Sequence, residues 1–495
     1  MSTINREKIS SGIPRILLLT ASIGFSQLLV IFMLLTGKQA ALPALSAMAL
    51  IFILILIDID IIKDHDCSSW LFPLILVAPP AYSFLNQSAN LLANIAGWII
   101  FIFYYLLLPR TWKVNLWRRV VSMGLPLMFF LICLLIADAM NGTLPSSNDL
   151  FRSDGNTLAT WLGAVGYYLA ACLYCKDGAN IRSLLWFMMV IALLQPLFDL
   201  QALTGLLSFV PGMSVLRVSG INSQYGSFRD LELLAENMVI SIIWVAAHSF
   251  SKNNWKAYLS SGFMLFAFGF TGIITGARSF VGFTVAGVLM VFVLSLMRTK
   301  KVNRSLWFLA VIIVTSMGVW AILPGWVGDW FNFRIQETQT EFATGNYFNR
   351  APLYAATISM AQDMPFFGYG GNSNDKYHAF LISETNSLVV NPNINSPHSM
   401  FSWALLTSGY PGFLALVILF GSALYYGYKI WRTGRYMNKS LGLLSIGLIV
   451  SIVIMILDEM KIEFSRLNIA MFYFVVMFGV ISAWFSLRPN YTDTK

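Results

Sequence analysis

Apolar stretches long enough to cross a bilayer recur along this whole chain, and no other feature limits its fold so strongly. A transmembrane helix needs about 17–25 predominantly apolar residues. Fourteen such stretches occupy 13–35, 41–59, 69–85, 90–108, 119–138, 157–174, 183–203, 232–250, 256–274, 279–297, 305–323, 412–430, 440–457 and 467–487. Pro79-Pro80 interrupts the third, and Gln195-Pro196 with Asp199 interrupts the seventh. Such breaks need neighbouring helices to satisfy the freed carbonyls. With 57% hydrophobic residues, 11% charged and a mean hydropathy of +0.69, a soluble globule is excluded. The expected fold is an all-α polytopic membrane protein of twelve to fourteen transmembrane helices with one large external loop.

Basic residues set the orientation. With the N-terminus inside, the inner segments hold 22 of the 32 lysines and arginines, although the outer segments contain far more loop sequence. The positive-inside rule therefore predicts both termini in the cytoplasm. The net charge of +9 follows from that topology. No basic stripe with interleaved aromatics marks a nucleic-acid partner. Cys67, Cys133, Cys172 and Cys175 fall in spans or at inner ends, so no disulfide framework is expected. Cys172 and Cys175 match C-x-x-C but lack a βαβ context, and read as helix packing. The first apolar stretch reads as a span rather than a cleavable leader.

The chain divides as a single membrane domain, 1–495, with a large external loop at 324–397 inside it. In that loop, Asn349-Arg350-Ala351-Pro352 has the form of a helix start. An amphipathic run follows through Leu353, Ala356, Ile358 and Met360 until Pro365. The segment Pro365 to Gly371 (PFFGYGG) carries glycines that let backbone approach a neighbour closely. Residues 398–408 are apolar but too short to cross. They predict a partly inserted helix, a break at Gly409-Tyr410-Pro411-Gly412, and then a full span.

Four outer residues are candidates for chemistry: Arg278, Arg217, Arg350 and His398. Each also has a bland reading. Arg278 suits a snorkelling interfacial arginine, Arg217 a solvated loop charge, Arg350 a brace for the loop helix, and His398 a satisfied loop histidine. His398 is not expected to bind a metal, because no HxxxH, HExxH or Cys cluster accompanies it and His378 alone is no site. As a general base it is attractive, since an unperturbed imidazole titrates near pH ~6.5. No cofactor or metal is expected.

These residues suit one reaction. Nucleotide sugars are cytoplasmic, so outer-face glycosyl transfer needs a donor already activated and delivered through the membrane. A lipid-linked diphosphate sugar fits. The guanidinium fork matches phosphate oxygens bidentately and stays charged. Stabilising charge on a departing diphosphate is a large catalytic term. One base for the acceptor hydroxyl completes a metal-independent transfer. Asp58-Ile59-Asp60 stands at an inner helix end, so no Asp-x-Asp lies on the outer face.

Three segments together carry a resemblance over about 210–425. They are Thr275-Gly276-Ala277-Arg278-Ser279; Arg350 with Asp363 to Gly371; and Pro397-His398-Ser399 with Ser408 to Gly412. In order and spacing the chain resembles the O-antigen ligase and polymerase superfamily of bacterial membrane glycosyltransferases. The resemblance implies a GT-C-type fold and an undecaprenyl-diphosphate-linked glycan donor. It implies donor diphosphate binding by Arg278 and Arg217, and acceptor activation by His398. Around Arg217 the chain departs from the usual pattern, with Asn222 to Tyr225 and the Glu236-Asn237 pair. Ligases often have His-Asn where this chain has His398-Ser399, which leans toward a polysaccharide polymerase.

The expected reaction is therefore inverting transfer of a glycan to a sugar hydroxyl. The acceptor is another lipid-linked glycan for a polymerase and lipid A-core for a ligase. The expected location is a bacterial inner membrane with the active site on the periplasmic or external face. Expected partners are the lipid-linked donor, that acceptor, the bilayer, and a chain-length regulator or flippase. The rival class is a transporter or flippase of lipid-linked glycans. Against it, most charges sit at span ends rather than buried at the midplane.

Overall fold

The computed structural model describes residues 54–56, 58–59, 71–82, 87–144, 157–193, 231–251, 255–275, 277–299, 351–384, 397, 399–433, 439–460 and 468–487, with isolated helical positions between 310 and 336. Span 13–35, most of 41–59 and all but isolated helical positions of 305–323 lie outside that set. Every other expected span overlaps a helix, the seventh only over 183–192 because 194–203 lie outside the described residues. These are α1 Leu71–Tyr82, α2 Gln87–Leu107, α3 Leu116–Met140, α4 Thr157–Tyr174, α5 Gly178–Ala192, α6 Leu231–Ser251, α7 Trp255–Ile274 and α8 Arg278–Thr299. After the loop helices α9 Ala351–Gln362 and α10 Ser373–Glu384 come α11 Met400–Thr433, α12 Lys439–Glu459 and α13 Asn468–Ser486. The described residues contain no strand. In hydrocarbon a helix keeps its backbone hydrogen bonds within itself, so this composition and this fold agree.

Among the described residues, four helical segments are long and apolar enough to cross a membrane: Arg110–Met140, Ser279–Arg298, Met400–Thr433 and Gly442–Glu459. Shorter apolar helices pack beside them. The chain is an all-α, multi-pass membrane protein. α3 turns Leu125, Met128, Phe129, Ile132 and Leu135 outward, an i, i+3, i+4 stripe suited to lipid. Its other side buries Met123, Leu127, Phe130 and Leu134.

The helices form two groups. α2 packs on α4, α4 on α13, and α13 on α3; α6 packs on α7, α8 and α12. α11 joins them by lying against α3, α12 and α13. Glycines set the closest crossings. A Cβ on Gly166 would lie 2.5 Å from the Trp98 nitrogen, and one on Gly97 would lie 2.6 Å from the Tyr167 nitrogen. Small residues let membrane helices approach by van der Waals packing, where no hydrophobic driving force acts between helix and lipid.

The two ends of the bundle differ. At one end the buried Arg119 donates to the carbonyls of Cys172 (2.8 Å), Leu173 (3.0 Å), Val114 (3.2 Å) and Trp112. Lys176 lies 4.0 Å from the centroid of the Trp112 ring. Arg298 donates to carbonyls of Trp431 and Gly442 there. Asp58 accepts from the Tyr104 hydroxyl at 2.6 Å and is fully buried, so it is a packed partner rather than an interfacial charge. Cys172 bonds the carbonyls of Arg119 and Gly479, which fits the packing reading of its motif. The opposite end carries α9 and α10 and is called the loop end below.

Candidate active site

The site at the loop end begins with a chain reversal. Gly409 has φ 67° and ψ −167°, interrupting α11. That region is open essentially to glycine alone, and Pro411 removes a further backbone donor. The arm before Gly409 folds back on the arm after it: the Phe401 and Phe420 rings have centroids 5.8 Å apart. Met400, Ser402, Trp403, Ala404, Leu406, Thr407 and Ser408 are all buried. The short inserted helix, the break and the span appear as the sequence predicts. Protein surrounds this irregular backbone, the condition under which a membrane tolerates it.

The glycine-rich segment clamps the reversal. A Cβ on Gly409 would lie 2.1 Å from the Phe366 oxygen, and one on Gly368 would lie 2.6 Å from the Gly409 nitrogen. Tyr369 N–H donates to the Leu406 carbonyl at 2.8 Å, and Tyr410 N–H to the Phe366 carbonyl at 3.2 Å. The Tyr410 hydroxyl reaches the Ala361 carbonyl at 2.8 Å. Around this clamp α9 and α10 share a small core of Leu353, Ala356, Met360, Ala361, Met364, Tyr377 and Leu381 with Leu406 of α11. Ser373 and Thr407 hydroxyls bond at 2.8 Å inside it. Burial, with the Asp363 carboxylate adding to it, holds the Tyr369 phenol above its ordinary value.

α3 supplies the seat. Its C-terminus is a Schellman cap: Thr143 N–H bonds the Asp138 carbonyl (2.9 Å) and Gly142 N–H the Ala139 carbonyl (3.4 Å). Gly142 takes φ 64° to allow it. The cap folds Thr143 over Asp138, so both side-chain oxygens accept from one donor, Gly371 N–H, at 2.7 and 3.0 Å. Asn141 also donates to the Gly368 carbonyl at 3.1 Å.

The same end gathers ionisable residues from the other group. Ser399 donates to the Glu459 carbonyl at 3.4 Å, and Tyr354 to that of Met460. Short links make α6, α7 and α8 run alternately, so α6 and α8 are parallel. A Cβ on Gly287 would meet Ile243 of α6 (2.6 Å) and Ile454 of α12 (3.7 Å), which fixes a common level. A Cβ on Gly447 would meet Ala247 at 2.9 Å, so α12 is antiparallel to α6. At 1.5 Å per residue, Glu236 stands about 10 Å above that level, Arg278 about 13 Å and Asp458 about 6 Å, all toward the loop end. Glu236, Asn237, Asp458 and Glu459 are buried there.

Of the residues expected from sequence, Arg278 is described by its backbone alone, as the first residue of α8. Arg217, Arg350 and His398 lie outside the described residues. Buried Pro397 and Ser399 flank position 398, and α9 begins at Ala351 next to position 350. Asp138, Thr143, Asp458 and Glu459 escaped the sequence reading. Asp138 and the Asp458-Glu459 pair were visible as ionisable residues at the edge of apolar runs, and Asn141-Gly142 as a cap signature.

These features define a multi-pass helical membrane protein with a folded-back half-helix held under a polar loop. Residues 263–417 match the family described as O-Antigen ligase, and this match supports the O-antigen ligase and polymerase superfamily. That span includes Arg278, Arg350, His398, the clamp and the reversal. No curated protein matches the chain. The family indicates an enzyme of the ligase or polymerase class with a glycosyltransferase-like role in surface polysaccharide.

Proposed function

We propose that the protein is a GT-C-type glycosyltransferase acting at the outer face of its membrane, moving a glycan from an undecaprenyl-diphosphate donor to a sugar hydroxyl. The observation that carries this reading is the α11 reversal, which brings the segment around position 398 to the bundle end where Arg278 begins α8. Arg278, Arg217 and Arg350 bind the donor diphosphate. The N-terminus of α8 adds positive potential beside Arg278.

In the transfer the acceptor oxygen attacks the anomeric carbon from the face opposite the diphosphate, so the linkage inverts. His398 takes the hydroxyl proton as the new C–O bond forms. The bond to the diphosphate breaks, its electron pair leaves with the phosphate oxygen, and the arginines stabilise that charge without a metal. The basic end faces the cytoplasm, with both termini, and the loop end faces the periplasm or exterior of the inner membrane. His398-Ser399 favours a polymerase, whose acceptor is a second lipid-linked glycan. In a ligase the acceptor is lipid A-core. A chain-length regulator or flippase is a fitting partner.

The test is incubation of purified protein with lipid-linked repeat units, with and without lipid A-core. A ladder of longer lipid-linked chains is the expected product. Modified core identifies a ligase instead, and no product with either acceptor overturns the reading.

A further inference from the structure

Asp138 belongs to α3, in a part of the chain outside the family match, yet its carboxylate bonds directly to the backbone of the loop. Its Oδ1 accepts from Gly371 N–H at 2.7 Å and from the Thr143 hydroxyl at 3.0 Å. The fit leaves no slack: a Cβ on Gly370 would lie 2.8 Å from that same Oδ1 and 2.7 Å from the Thr143 hydroxyl. Gly370 takes φ 58° to approach so closely. A carboxylate at the edge of an apolar helix is costly unless its oxygens are bonded, and here the loop backbone provides the bond.

The contact is transmitted. Gly371 is two residues from Tyr369, whose N–H holds the Leu406 carbonyl on the folded-back arm of α11. That arm runs directly into Ser399 and position 398. We infer that Asp138 is a positioning residue for glycosyl transfer. Through Gly371 and the 366–371 clamp it holds the folded-back arm in register, so that the base beside Ser399 is presented to the diphosphate end of the donor. The inference rests on the transferase reading for its catalytic part and on the hydrogen bonds alone for its docking part.

Two measurements on the full-length protein in lipid nanodiscs test it. Asp138→Ala removes the acceptor, whereas Asp138→Asn keeps an Oδ1 for Gly371 N–H. Hydrogen exchange of the 369–373 amides is expected to speed up about tenfold or more in Asp138→Ala and to stay near wild type in Asp138→Asn. The kcat for transfer is expected to drop about tenfold or more in Asp138→Ala, since small misplacements of reacting groups cost that much or more. The donor KM should stay within about twofold, because Arg278 sits on another helix, and Asp138→Asn should restore kcat to within about threefold. If Asp138→Ala does not fold, Thr143→Val, which removes the second acceptor, is expected to show the same changes in smaller measure.

Unchanged exchange in the folded Ala variant overturns the docking. Faster exchange with unchanged kcat overturns the positioning role. Absence of transfer by the wild-type protein overturns the transferase reading, and with it the catalytic part, while the exchange arm still decides whether Asp138 docks the loop.

Discussion

Phe401 and Phe420 stand nineteen residues apart in sequence, yet their ring centroids lie 5.8 Å apart. An unbroken helix would separate those positions by roughly 28 Å. The pair therefore measures how completely α11 reverses at Gly409, and the reversal places the segment next to position 398 inside protein rather than in open loop.

Replacement of Gly409 by alanine attacks that reversal twice. The left-handed φ opposes any side chain, and the new Cβ would press on the Phe366 oxygen at 2.1 Å, a backbone atom that cannot swing aside. Strain of this kind costs about 1–3 kcal/mol before the clash is counted. Gly409→Ala should lower the unfolding temperature in detergent and abolish transfer. Gly421→Ala, on the same helix with open space around it, should do neither.

Arg278 and His398 are assigned different steps, and kinetics can separate them. Arg278→Ala should raise the donor KM and lower kcat, since the diphosphate needs its counter-charge both when bound and when leaving. His398→Ala should lower kcat by about 100-fold or more with donor affinity kept. A base works only when deprotonated, so wild-type kcat should fall on acidification while the His398→Ala residue of activity stays flat. Full turnover by either variant removes that residue's role.

Spans and their breaks were legible because lipid imposes one rule on every residue of a helix. Apolar length, the Gly409-Tyr410-Pro411-Gly412 break and the close-approach glycines of the clamp all follow from local chemistry. The partners of those glycines were not legible. That Gly371 would find Asp138, more than two hundred residues earlier, depends on which helices neighbour α11, and periodicity says nothing about neighbours. The Glu236, Asp458 and Glu459 grouping was hidden for the same reason: each reads alone as a charge near a span end. Sequence named Arg278 from its place between two apolar runs, and the register of α8 against α6 and α12 supplied its level.

Arg119 tests the basic end. Its guanidinium serves four carbonyls from two directions, those of Cys172 and Leu173 and those of Trp112 and Val114. A lysine ammonium is a point donor on a flexible stem and lacks that fork. Arg119→Lys should leave buried carbonyls unpaired at about 1–3 kcal/mol for each group lost. The expected result is a clear drop in thermal stability, with the donor KM of the surviving protein unchanged because the site lies at the other end. A variant as stable as wild type would show those carbonyls to be otherwise satisfied.

The bilayer's position can be read from α11 and checked directly. Beyond the reversal, Tyr410, Leu414, Val417, Ile418, Tyr425 and Tyr428 are exposed along one face. Tyrosines at both ends of an aliphatic stretch are the pattern of interfacial belts, and Tyr410 to Tyr428 spans about 27 Å, close to one hydrocarbon thickness. Phe366 is 63% exposed and packs beside Tyr410, with ring centroids 6.5 Å apart, so the clamp itself should sit at the lipid boundary. Spin labels at Phe366→Cys, Val417→Cys and Tyr428→Cys, read by oxygen against a water-soluble relaxant, should place 417 deepest and the other two near opposite interfaces. A label at 366 reporting bulk water would lift the reversal clear of the membrane. The folded-back arm would then be reached through solvent, and a lipid-anchored donor could meet position 398 only by leaving the bilayer plane.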